Sequence, residues 1–124
     1  MPGGVEEGLL FGPAGIPHRT GPPKNTQAGL VCVHELGLGA MEIEFVNGVW
    51  MKEKTALAVR EVARNRSLKL TAHGPYYINL NSPEEKKVAA SKERILQTAR
   101  MAHAFGGVSI TFHAAYYMKS SPEE

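Results

Sequence analysis

The sequence predicts an α/β chain whose four β/α units form an arc of parallel strands with helices on one face. Two observations along the chain point there. Short runs with the period of a strand alternate with longer runs that have the period and end signals of a helix. The links between them are also short, so each helix must return the chain to start a parallel neighbouring strand.

The first strand is expected between Leu9 and Ile16, running into a Gly- and Pro-rich loop that ends at Gly21-Pro22-Pro23. Asn25-Thr26 can cap a helix that continues to Leu36, with Leu30, Val31 and Val33 among its apolar residues and Gly37 and Gly39 as its stop. Met41 to Val46 alternates apolar and charged residues and reads as a strand. Lys52 to Arg66 is the next helix, with Leu57, Val59, Val62 and Ala63 as its apolar set, and Leu68 to Ala72 is the third strand, closed by Gly74-Pro75. Ser82-Pro83-Glu84-Glu85 has the form of a helix start, with serine as N-cap and proline at the first helical position. That helix carries Val88, Ile95, Ala99 and Ala102 and stops at Gly106-Gly107, and Val108 to Phe112 follows as the fourth strand. One domain, residues 1–124, is expected, structured from Leu9 to Tyr117 with frayed ends.

Composition narrows the function classes only a little. Lys+Arg 14 against Asp+Glu 12 leaves a formal net charge of +2, too small to argue for nucleic acid by bulk charge, so any DNA contact must come from a local patch. The one cysteine, Cys32, lies among Leu30, Val31 and Val33 and is expected to be a buried thiol in a reducing compartment. There is no long apolar run and no secretion-signal pattern, which predicts a cytoplasmic protein with no membrane partner.

The faces of the strands carry the architecture. Met41, Ile43 and Phe45 alternate with Glu42 and Glu44. Leu68, Leu70 and Ala72 alternate in the same way with Lys69, Thr71 and His73, and Val108, Ile110 and Phe112 with Ser109, Thr111 and His113. Central strands of an open doubly wound sheet would be apolar on both faces. One apolar and one polar face fit half of a TIM barrel better, with helices outside and a polar lumen. Glu44, His73 and His113 then fall at the carboxyl edge, where His73 and His113 on neighbouring strands could reach one metal ion and Glu44 could contact metal or substrate. Neutral imidazoles suit zinc. Solvated loop histidines and an acidic sheet edge are the competing reading of the same residues. His18, His34 and His103 have weaker contexts, a loop and two helices.

The stretch Thr71-Ala72-His73-Gly74-Pro75-Tyr76-Tyr77-Ile78-Asn79-Leu80, then a helix, then Thr111-Phe112-His113, resembles the endonuclease IV family of the xylose isomerase-like superfamily. The likeness extends loosely over Leu9 to Tyr117. It implies that His73 and His113 each bind one zinc of a cluster and that Tyr76 approaches DNA. It also implies hydrolysis of the phosphodiester at an abasic site in DNA repair, where metal ions activate water and neutralise phosphate charge. Gly12-Pro13-Ala14-Gly15-Ile16-Pro17 departs from the Gly-Ala-His opening of the family, and Asn47-Gly48-Val49-Trp50 lacks its intruding arginine. The family draws its bridging glutamate and most other ligands from later strands, so this chain is expected to be an N-terminal portion with little activity and a partial zinc site, its catalytic residues unassigned. Two alternatives stand beside that reading. One is a sugar isomerase or epimerase of the same superfamily, which the missing arginine favours. The other is a non-catalytic half-barrel that pairs with a second copy through its open sheet edges.

Overall fold

The computed structural model describes residues 8–123. The expectation of frayed ends falls at the N-terminus mostly on residues outside that range. The elements run α1 (Thr26–Glu35), β1 (Ala40–Glu44), α2 (Glu53–Asn65), β2 (Lys69–His73), α3 (Glu85–Ala104) and β3 (Ile110–Thr111). The sheet is three-stranded, in the order β1-β2-β3. Both pairings are parallel, with Glu44 opposite His73 and His73 opposite Thr111. This is the predicted α/β arc.

The apolar face of the sheet makes the core. Met41, Ile43, Phe45, Leu70 and Ala72 are buried against Leu30 and Val33 of α1, Val59 and Ala63 of α2, and Ala102 and Phe105 at the end of α3. Their alternation buries every second residue of β1 and β2, while Glu42, Glu44, Thr71 and His73 on the opposite face are only half-buried. Cys32 is buried, as its apolar neighbours suggest.

All three helices end in one way. In α1, Leu38 N–H donates to the Val33 carbonyl and Gly37 N–H to that of His34. In α2, Leu68 pairs with Ala63 and Ser67 with Arg64; in α3, Gly107 pairs with Ala102 and Gly106 with His103. These are Schellman closures, which put the residue after the cap in a left-handed conformation. Gly37 and Gly106 adopt it without penalty, with φ of 74° and 82°, whereas Ser67 adopts it at φ 53°.

Several elements depart from expectation. The first segment is not a regular strand: it meets β1 through one parallel bridge, Ala14 to Glu42. Gly15 N–H donates to the Glu42 carbonyl and Glu42 N–H to that of Pro13. Gly39 N–H, just before β1, also donates to the Phe11 carbonyl at 3.0 Å, but Pro13 has no N–H for a ladder and no regular strand forms. The fourth strand is reduced to Ile110–Thr111, and Val108, expected in the core, is exposed at the sheet edge. In α2, Leu57 points to solvent and Ala56 takes the buried position. In α3, the Ser82 hydroxyl accepts from Glu84 N–H at 3.2 Å, a tight turn that delays the helix, and Glu84 becomes the N-cap. The buried face of α3 is partly polar, because Ser91 and Thr98 donate to the carbonyls of Lys87 and Arg94, both at 2.8 Å, and so bury satisfied hydroxyls.

Candidate metal centre at the carboxyl edge

β2 ends at His73 opposite Thr111, the last residue of β3, and the chain runs on past the strand through Phe112 to His113, whose imidazole comes to lie beside that of His73. Their ring centroids are 5.3 Å apart with the planes inclined by 48°. Two imidazoles bound through nitrogen to one tetrahedral ion, at the usual ~2.0–2.1 Å metal–nitrogen distance, would place their centroids ~5 Å apart. The observed spacing therefore suits a shared ion.

His73 is also fixed in tautomer. Its Nδ1 lies 2.8 Å from the Gly74 carbonyl oxygen, which can only accept, so Nδ1 is the donor, and in the neutral imidazole Nε2 is left with the lone pair. Ligating histidines show this arrangement, one ring nitrogen donating to a fixed acceptor and the other left for the ion. Glycine at 74 lets the strand end lie close against its neighbours. A Cβ there would stand 3.2 Å from Thr98 Oγ1 and 3.4 Å from Ile78 Cδ1.

Glu44 belongs to the same sheet face but not to this pair. Its carboxylate turns toward the first segment, where Oε2 would stand 3.3 Å from a Cβ on Gly15. The reason is local: that segment lies along the other side of β1, and Gly15 leaves room for the carboxylate. Among the described residues no group of three or more His, Cys, Asp or Glu side chains could hold a metal ion. Among the described residues, the candidate donors that the fold brings together are the two histidines.

Tyr76 is exposed and meets Tyr77 edge to face at 5.2 Å. Tyr77 is pinned from below by Arg94, whose guanidinium lies 4.5 Å from the ring centroid and donates to the Tyr77 carbonyl. Trp50, also exposed, sits edge to face with buried Phe45 at 5.9 Å. Sequence reasoning did not single out Asn79, Asn81 and Tyr116. They join the loop after β2 to the segment after His113 through contacts that span 35 to 37 positions, and no local spacing signals them. His18, His34 and His103 lie exposed, the first before α1 and the others on helices. The cavity of about 520 Å³ between residues 19–22 and α1 shares no residue with the histidine pair.

Residues 32–124 match the family described as xylose isomerase-like TIM barrel. The chain is 41% identical over 115 residues to an uncharacterized protein of Methanocaldococcus jannaschii, MJ0133, covering 93% of this chain and 40% of that protein's length. Among solved structures it resembles a D-psicose 3-epimerase crystallised in the presence of D-fructose, with TM-score 0.70, 19% identity, and 84% of this chain against 37% of that one. Endonuclease IV from Thermus thermophilus matches with TM-score 0.66, 18% identity, and 91% against 41%. At such identities these two likenesses speak for the fold, and the fold agrees with the parallel sheet and one-sided helices above. On the extent of the family match, the chain belongs to the xylose isomerase-like TIM barrel family.

Proposed function

We propose that the chain supplies the first part of a metal-dependent, endonuclease IV-like phosphodiesterase that acts on DNA at abasic sites. The observation that carries this reading is the pair His73 and His113, held 5.3 Å apart at the carboxyl edge with His73 Nε2 free. Barrel enzymes keep their chemistry at that edge. The two side chains fit two positions of a zinc ion, and further donors would have to come from outside the described residues. Zinc bound there would supply Lewis acidity, lowering the pKa of a water and neutralising charge on phosphate. The protein's own part is to orient the imidazoles and to present Tyr76, on the loop that follows His73, as an exposed ring for a base or sugar.

A second reading, a sugar isomerase or epimerase of the same superfamily, draws support from the loop Asn47-Gly48-Val49-Trp50. It offers an exposed indole where the DNA-directed reading would want an arginine.

Calorimetric titration with zinc tests the shared core of both readings. Wild type is expected to bind about one equivalent, and His73→Ala and His113→Ala each to abolish it. Equal binding by either variant and wild type would remove that histidine from the site. Product analysis on the full-length protein then separates the substrates, a nicked abasic oligonucleotide for the first reading and an epimerised keto-sugar for the second.

A further inference from the structure

We infer that Asn79 and Asn81 are positioning residues that hold His113 against His73 and so set the geometry of the pair; the inference rests on the metal-site reading above. Asn79 lies on the loop after β2, downstream of His73. Its Oδ1 accepts from Asn81 N–H at 3.1 Å and from Tyr116 N–H at 3.3 Å. Asn81 Nδ2 donates in turn to the carbonyls of Tyr116 at 2.9 Å and Tyr117 at 3.2 Å. A backbone bond from Leu80 N–H to the Ala114 carbonyl at 2.8 Å, one residue beyond His113, completes the splice.

The splice is needed because the ladder has ended. The last register pair is His73 with Thr111, and beyond it Gly74 N–H still reaches the Thr111 carbonyl at 2.8 Å. His113 thus stands past the sheet, exposed, on a segment that no strand neighbour fixes. Asn79 is itself anchored from below, since its N–H donates to the buried Ser91 hydroxyl at 2.9 Å, and that hydroxyl donates to the Lys87 carbonyl. Rigidity therefore passes from α3 through Ser91 and Asn79 to the segment carrying His113. Metal sites depend on such outer contacts, whose loss typically weakens affinity roughly ten- to hundredfold.

The chemistry of the two amides gives a test with opposite signs. Asn79 acts toward Tyr116 as an acceptor, so Asn79→Asp keeps the contact and Asn79→Leu breaks it. Asn81 acts as a donor, so Asn81→Leu breaks it as well. Two readouts are taken on the whole chain. One is the cross-relaxation between the rings of His73 and His113 in metal-free protein by NMR, and the other is the affinity for Co(II) from its visible absorption. Asn79→Leu and Asn81→Leu are expected to lose the ring–ring cross peak and bind Co(II) roughly ten- to hundredfold more weakly. Asn79→Asp is expected to keep both, and the β1–β2 cross peaks to persist in all three. Leu variants with an unchanged ring–ring contact and Co(II) affinity would overturn the inference, as would loss of the ring contact only together with the β1–β2 cross peaks. Should the ring contact respond as expected while wild type binds no Co(II), the positioning role stands and the two histidines do not hold a metal by themselves.

Discussion

Gly74 joins two needs that no larger residue meets together. Its carbonyl accepts the hydrogen bond from His73 Nδ1–H, and its bare Cα lets β2 end directly against Thr98, Ile78 and Phe112 of the surrounding wall. Gly74→Ala would press a methyl to 3.2 Å from Thr98 Oγ1 and 3.5 Å from Phe112 Cβ, so either the wall or the strand end must shift. Overpacking of this kind costs ~1–3 kcal/mol. The substitution is therefore expected to lower the unfolding free energy by that amount, read as a lower denaturant midpoint, and to weaken zinc binding as the carbonyl moves off Nδ1. An unchanged midpoint would mean that the wall yields freely. The place of His73 at the end of β2 was legible in the alternation along the strand, whereas His113, expected at the equivalent end of its strand, stands two residues past β3. The turn of Glu44 away from them was not legible, since it depends on how the irregular first segment lies beside β1.

At the level of elements, the helix ends explain why the connections to the strands are so short. Each Schellman closure reverses the chain within two residues, and the next strand begins almost at once: Leu68, the second residue past the α2 cap, is already in the core beside β2. The glycines after α1 and α3 announced this in the sequence, but Ser67 did not. At φ 53° it holds a conformation that costs an L-residue ~1–2 kcal/mol. Ser67→Gly removes that strain while adding freedom to the unfolded chain worth ~0.4–1 kcal/mol. A net stabilisation of up to about 1.5 kcal/mol is expected, seen as a higher melting temperature, whereas Gly37→Ala supplies a destabilised control. A lower melting temperature for Ser67→Gly would show that the serine side chain does more than tolerate the turn. The start of α3 was misread because Ser82 has the right residue type for a cap, yet its hydroxyl closes on Glu84 before the helix begins.

For the whole molecule, the one-sided core leaves an unfinished sheet. β3 has β2 on one side, and among the described strands none lies on its other side. Val108, just before it, is exposed together with Tyr116 and Tyr117 beyond it. The pattern of faces made the arc readable from the sequence, but the shortness of β3 was not, because strand length there depends on how many partners the edge has. An unpaired parallel edge flanked by apolar side chains invites another chain. The chain spans 40% of the length of its archaeal relative, and further β/α units placed after β3 would pair this edge internally. For these 124 residues alone, reversible self-association through the β3 edge is expected in sedimentation velocity, with the weight-average coefficient rising with concentration. Val108→Lys places a charge at that edge without touching the core and is expected to return the chain to a monomer with unchanged helical content. If wild type is already monomeric at high concentration, the edge is protected by its brevity. If Val108→Lys leaves association intact, the contact runs instead across the half-buried face of Glu42, Thr71 and His73, which would place a second copy over the candidate metal centre.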